Sequence, residues 1–153
     1  MDLWTVLRHL EELEGRMADL YERFSRQFHE DKEAAGFFYS LSLEEISHRD
    51  LIRYERRLVS KNPGLFSRVE INIEEIREAC AKIEGIIGSD GPFSLKQAVL
   101  TSLGFEKEAA ECHYRSVMTR SNPGVAGLLD SLCQADRDHV GKVTDFARSR
   151  GLL

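Results

Sequence analysis

Six side chains of this chain are of the types that bind divalent metals, and their spacing groups them. Glu45 and His48 form E-x-x-H, and Asp136 and His139 form D-x-x-H. At i, i+3 on a helix the two members of such a pair point the same way. Glu14 and Glu106 stand alone, each inside a long stretch of regularly spaced apolar residues. Carboxylate oxygens mixed with imidazole nitrogens suit iron, manganese or zinc, and the residue types alone do not choose among them. An acid three residues before a histidine is a weak signal by itself, and an isolated pair is usually a surface ion pair. The signal comes from four acids and two histidines at related positions.

Those positions are set by four stretches with helical periodicity. The first spans about Leu3 to His29, and its seam reads Leu3, Leu7, Leu10, Glu14, Met17, Tyr21, Phe24, Phe28. Steps alternating between four and three are the spacing of a helix packed in a bundle. The second spans about Lys32 to Ser60 after a possible N-cap at Asp31, with a seam of Ala34, Phe38, Leu41, Glu45, His48, Ile52, Glu55 and Val59. Asn62-Pro63-Gly64 is expected to end it. The third spans about Leu95 to Arg120 behind a capping box at Ser94 to Gln97, and its seam carries Val99, Ser102 or Leu103, Glu106, Ala109 or Ala110, His113 and Val117. The fourth follows Asn122-Pro123-Gly124, with Val125, Leu129, Leu132, Asp136, His139, Val143 and Phe146. A connection over 61–93 separates the two pairs. Asn72 to Glu75 reads as another capping box, which predicts a short helix over about Ile73 to Ile87.

The chain repeats itself. Glu14 and Glu106 are 92 residues apart, while Glu45 and Asp136, His48 and His139, Leu41 and Leu132, and Phe38 and Leu129 are each 91 apart. This is a duplicated helical hairpin. Within each hairpin the acids stand at matched distances from the turn, so at about 1.5 Å per residue they reach the same height on antiparallel neighbours. Docking the hairpins would put four carboxylates and two imidazoles in one core layer. Burying even one charge costs several kcal/mol, and like charges repel further. Either the acids take up protons or cations fill the layer. Two divalent cations would balance four carboxylates, and two Glu plus two acid-x-x-His pairs is a two-metal bundle pattern.

Composition fits a single all-α domain over 1–153. The chain is 42% hydrophobic and 31% charged, with a net charge of −5. Net acidity argues against broad nucleic-acid binding. The three prolines, Pro63, Pro92 and Pro123, each adjoin glycine and read as punctuation, which disfavours a β-sandwich or barrel. Cys80, Cys112 and Cys133 are odd in number and widely spaced, so no disulfide framework or four-cysteine metal site is expected. No signal peptide and no membrane span are read, and the expected location is the cytoplasm.

The residues resemble the rubrerythrin-like branch of the ferritin-like di-iron carboxylate proteins. The resembling stretches are EGRMADLY over 14–21, EEISH over 44–48, EKEAAECH over 106–113 and DRDH over 136–139. The resemblance implies a ferritin-like four-helix bundle whose crossover at 61–93 makes the second and third long helices parallel. It implies two iron ions per chain, with manganese or zinc as alternatives. Glu14 and Glu106 would be terminal ligands, Glu45 and Asp136 bridges, and His48 and His139 caps, one on each metal. It further implies a non-haem oxidoreductase acting on O2 or peroxide. Four departures stand out. Asp136 is one methylene shorter than the family's Glu. His113 replaces a common Tyr and reads as a group behind the ligands, an extra ligand or a core histidine. Ala109 stands where rubrerythrins proper carry an extra glutamate. No rubredoxin-like four-cysteine domain is present, so electrons would come from an external donor such as a rubredoxin-like protein.

The alternatives are a ferroxidase or iron-handling protein, and a non-enzymatic bundle with a vestigial site. Tyr21, two turns from Glu14 on the same face, reads either as a donor orienting a ligand carboxylate or as packing. Glu55, Glu11, Glu12, Glu44, Glu108 and Glu111 are expected on the solvent face, as are His9 and His29. Trp4 and the run Phe37 to Tyr39 are expected in the core, with a dimer face as the alternative, and Cys112 and Cys133 as buried small hydrophobes. A homodimer or higher homo-oligomer is expected, without an assigned face.

Overall fold

The computed structural model describes residues 2–61, 72–118 and 123–153, and of 110–118, 123–126 and 129 the backbone alone. The described residues form five helices: α1 Leu3–Gln27, α2 Lys32–Lys61, α3 Ile73–Ile87, α4 Leu95–Met118 and α5 Pro123–Ser149. There are no strands among the described residues. None of the helices is long and apolar enough to cross a membrane.

The helix starts follow the capping chemistry in the sequence. Asp2 caps α1 by accepting from the Thr5 amide at 2.9 Å, and Asn72 caps α3 by accepting from the Glu74 amide. At α4 the Ser94 hydroxyl accepts from the Gln97 amide while the Gln97 side chain accepts from the Ser94 amide, a reciprocal capping box. At α2 the Asp31 carboxylate accepts from the Ala34 amide. α5 ends in a Schellman motif: Leu152 N–H bonds Ala147 C=O, Gly151 N–H bonds Arg148 C=O, and Gly151 takes φ +64°. The duplication is visible in these boundaries, since α4 begins 92 residues after α1 and α5 begins 91 after α2.

α1 lies along α2 and α4 along α5; α3 lies against α1, and α2 also meets α5. Cross-helix partners give the directions. Glu11 meets Arg53 and Arg56 while Ser25 meets Ala35, so α1 and α2 are antiparallel. Arg150 meets Asp31 and Glu33, Phe146 stacks on Phe37 at 4.1 Å, and His139 meets Glu44, so α2 and α5 are antiparallel. Tyr21 meets Glu106 and Gln27 meets Phe93, just before α4, so α1 also opposes α4. α2 and α4 therefore run the same way, as the long connection carrying α3 requires.

One buried cluster draws on all five helices. Leu7, Leu10, Leu20, Tyr21, Phe24, Phe38, Leu41, Ile52 and Leu132 are among its fully covered members. Covering each such side chain contributes about 1.5–3 kcal/mol. Phe38 is the aromatic hub, with Tyr21, Phe24, Phe28, Phe37 and Phe146 all within 6.4 Å between ring centroids.

Several expectations for single residues need correction. Trp4 and Tyr39 are exposed; Trp4 sits in the first turn of α1, where its ring faces the Arg56 guanidinium. Glu11 is largely covered, because it bridges Arg53 at 2.7 Å and Arg56 at 2.8 Å. His9 and Glu55 are half-buried. Cys133 is buried and His29 exposed, as expected. The turns expected at 62–64 and around Asn122, and the side chains of Cys112, Glu111, His113, Val117, Val125 and Leu129, lie outside what is described.

Candidate metal centre

The apolar core is interrupted at one level. Glu14, Glu45, Glu106, Asp136 and His139 are all buried, each with at most 2% of its surface exposed, and His48 is half-buried beside them. Each arrives from the seam of its own helix: Glu14 from α1, Glu45 and His48 from α2, Glu106 from α4, Asp136 and His139 from α5. These positions continue the stripes that bury the neighbouring Leu, Phe and Val side chains. The same packing that sends those residues inward therefore carries the carboxylates with it.

Glu45 stands at the centre. One of its oxygens is 3.1 Å from His48 Nδ1, and the other is 2.9 Å from His139 Nδ1. Glu14 approaches His48 Nδ1 at 3.6 Å, and Glu106 approaches His139 Nδ1 at 3.4 Å. The two imidazoles face each other with centroids 5.3 Å apart. Oxygen and nitrogen atoms of Glu45, His48 and His139 come within 4.8 Å of one another, close enough to share an ion. Asp136 lies near enough to Glu106 to act on its ionisation.

His139 Nδ1 has an unusual setting. It is buried, 2.9 Å from a Glu45 oxygen and 3.4 Å from a Glu106 oxygen, and forms no well-made hydrogen bond with either. A buried ring nitrogen left this way is costly unless something else satisfies it. Once the ring gives up its proton, Nδ1 would offer a lone pair beside two carboxylates, a donor set that suits a cation, so the residues present fit a metal ion. The opposite ring nitrogen is well held. Nε2 meets Glu44 Oε2 at 2.8 Å, and the Lys142 ammonium donates to the same oxygen. Histidine ligands are commonly fixed by such a carboxylate behind the ring.

Tyr21 is fully buried and donates its hydroxyl to Glu106. Its carboxylate partner is thus on α4 and not the Glu14 of its own helix. Ser102, also buried, turns its hydroxyl back to the Ala98 carbonyl.

The layer's electrostatics follow from burial and crowding. Burial pulls the His48 imidazole towards neutrality, but Glu14 and Glu45 outweigh it and hold it up at about 10. At His139 burial is likewise overcome, by Glu106 and Glu45, and the imidazole is held at about 11. Burial raises Glu106, with His139 and Tyr21 opposing and Asp136 adding to the rise. Burial raises the Tyr21 phenol well above its ordinary value, as do the charges of Glu106 and Glu45. At Glu44 burial acts upward, but Lys142 and His139 prevail and its carboxyl falls. Without a cation the layer thus draws protons onto its imidazoles. A bound cation would supply the same positive charge and release those protons.

Contacts of 3.6 Å or less link Glu14, Glu45, His48, Glu106 and His139, of which Glu45, His48 and His139 come close enough to share an ion; Asp136 is buried and acts on Glu106. Glu44, expected on the solvent face, is instead half-buried and holds His139, and Lys142 carries no signal in the sequence. Glu44 faces away from the layer, and its role depends on α5 lying against that side of α2. No family model, curated protein or solved structure matches this chain.

Proposed function

We propose that this chain is a ferritin-like bundle of the rubrerythrin-like kind, holding two iron ions, with manganese or zinc as alternative occupants. We further propose that it is an oxidoreductase acting on O2 or peroxide with electrons from an external donor. The observation that carries the reading is the unsatisfied, buried Nδ1 of His139, within 3.4 Å of both the Glu45 and the Glu106 carboxylates and near three further ligand-type groups. Glu45, with one oxygen towards each histidine, is suited to bridge two ions. Glu14 with His48 and Glu106 with His139 would complete the two positions, and Asp136 would serve on the second hairpin. Iron in such a site supplies the electron transfer and Lewis acidity that reduction of O2 or peroxide requires.

The protein's own contribution is positioning. Tyr21 holds the Glu106 carboxylate and Glu44 holds the His139 ring. The surrounding Leu, Phe and Val side chains keep bulk water from the layer. The odd number and wide spacing of the cysteines support a reducing, cytoplasmic setting. The exposed Tyr39, Leu43, Leu51 and Tyr54 of α2 support pairing with a second copy.

An anaerobic ferrous titration of metal-depleted protein, followed by air, tests the reading. Saturation at two irons per chain, with a near-ultraviolet charge-transfer band after air and catalytic turnover with a reductant, is expected. Uptake of many irons per chain would favour the iron-handling alternative. No saturable uptake of iron, manganese or zinc would overturn the metal reading.

A further inference from the structure

The two histidines occupy equivalent places in the duplicated hairpins, but they are not held alike. His139 is fixed from behind: Nε2 donates to Glu44 at 2.8 Å, and Lys142 anchors that carboxylate. With Nε2 committed as the N–H, Nδ1 is the nitrogen left to face the layer and to give up its proton to a metal. The ring is almost wholly buried, whereas the His48 side chain is 18% exposed. His48 engages Glu45 through Nδ1, and among the described residues no acceptor holds its Nε2. The sequence gives the cause. By the offset of 91 that relates α2 to α5, the counterpart of Glu44 is Ala135 and the counterpart of Lys142 is Leu51. Both halves of the tether are missing from the other hairpin.

We infer that the two metal positions are unequal: the one at His139, tethered by Glu44 and Lys142, fills first and binds tightest, and the one at His48 is where metal enters and leaves. This rests on the di-metal reading of the layer. A tethered ring has less orientational freedom to lose when it binds. Loss of a carboxylate behind a ligand histidine typically weakens metal affinity about 10–100-fold. The partial exposure of His48 gives its position a route to solvent that the His139 position lacks. Glu44 is in this sense a positioning residue, acting through the histidine and not on the metal.

The test is a cobalt(II) titration of the metal-depleted full chain, followed by calorimetry and by visible absorption of the bound ion. The native chain is expected to bind cobalt in two resolved steps. His48→Ala should lose the weaker step and keep the tighter one. Glu44→Ala should weaken the tighter step about 10–100-fold while leaving the weaker step within about threefold. Glu44→Gln keeps an oxygen that can accept the Nε2 proton, so it should restore most of the loss. Metal-free unfolding curves for both Glu44 variants separate a positioning effect from a folding defect. Two ions binding in one unresolved step, or Glu44→Ala weakening both steps alike, would overturn the inference and leave the di-metal reading standing. No saturable cobalt binding by the native chain would overturn both.

Discussion

The α1–α2 hairpin and the α4–α5 hairpin bring nearly the same residues to the middle of the molecule and hold them by different means. In the first, Glu14 and His48 meet at 3.6 Å near a solvent-accessible edge. In the second, Glu106 is held by the Tyr21 phenol, His139 by Glu44, and Glu44 by Lys142. Each of these supports crosses between hairpins, since Tyr21 and Glu44 belong to the first. The repeated hairpins thus differ in the groups behind their candidate ligands more than in the candidate ligands themselves. On the proposed reading, ligand identity decides whether metal can bind and the supporting contacts decide how firmly each position would hold it.

The largest effect should come from removing what the halves share. Glu45→Ala is expected to abolish both binding steps, beyond the 100-fold or so that loss of a supporting residue costs. Thermal unfolding with and without metal checks this. Free metal at 100 times its Kd should stabilise the native chain by about 2.7 kcal/mol and the variant not at all. Tyr21→Phe bears on one half only. It leaves a buried Glu106 oxygen without its donor, so metal-free stability should fall by about 1–3 kcal/mol in urea unfolding. The His139 step should weaken and the His48 step should not.

Next comes pH. In metal-free protein His48 and His139 sit at about 10 and about 11, above the ordinary histidine value of 6.5. Raised folded-state values give stabilisation that is fully present below pH 6.5 and is lost as pH rises through the folded values. Metal-free protein should therefore lose stability from neutral pH upward, while metal affinity rises over the same window as proton competition fades. Unfolding midpoints against pH, with and without metal, check both signs. A smaller effect should follow from transplanting the tether: Leu51→Lys with Ala135→Glu is expected to tighten the weaker step about tenfold, read by cobalt titration. The smallest serves as a control. Gly151→Ala strains a positive-φ position with open space around it, costing about 1 kcal/mol, and both metal steps should be unchanged.

Much of the fold was legible because periodicity and capping agreed. The α1 seam from Leu3 to Phe24 is buried at every position read, and Asn72 and Ser94 start α3 and α4 as their capping boxes indicate. The acids were legible for a related reason, since a carboxylate in an apolar stripe conflicts with burial unless something compensates it. Glu44 was not legible. On its own helix it looks solvent-facing, and only the packing of α5 against α2 makes it the partner of His139. Glu11 was missed similarly, because its two arginines come from α2. Trp4 and Tyr39 were misjudged by residue type, with large aromatics taken as core although their positions lie off the buried stripe.

Anomalous X-ray diffraction from crystals grown with ferrous iron or manganese tests the central claim most directly. Two peaks are expected, about 3.5–4 Å apart and flanking the Glu45 carboxylate, one beside Glu14 and His48 and the other beside Glu106 and His139. At limiting metal the His139 peak should be the stronger. Peaks confined to surface carboxylates, with hydrogen-bonded protonated side chains filling the layer, would contradict it.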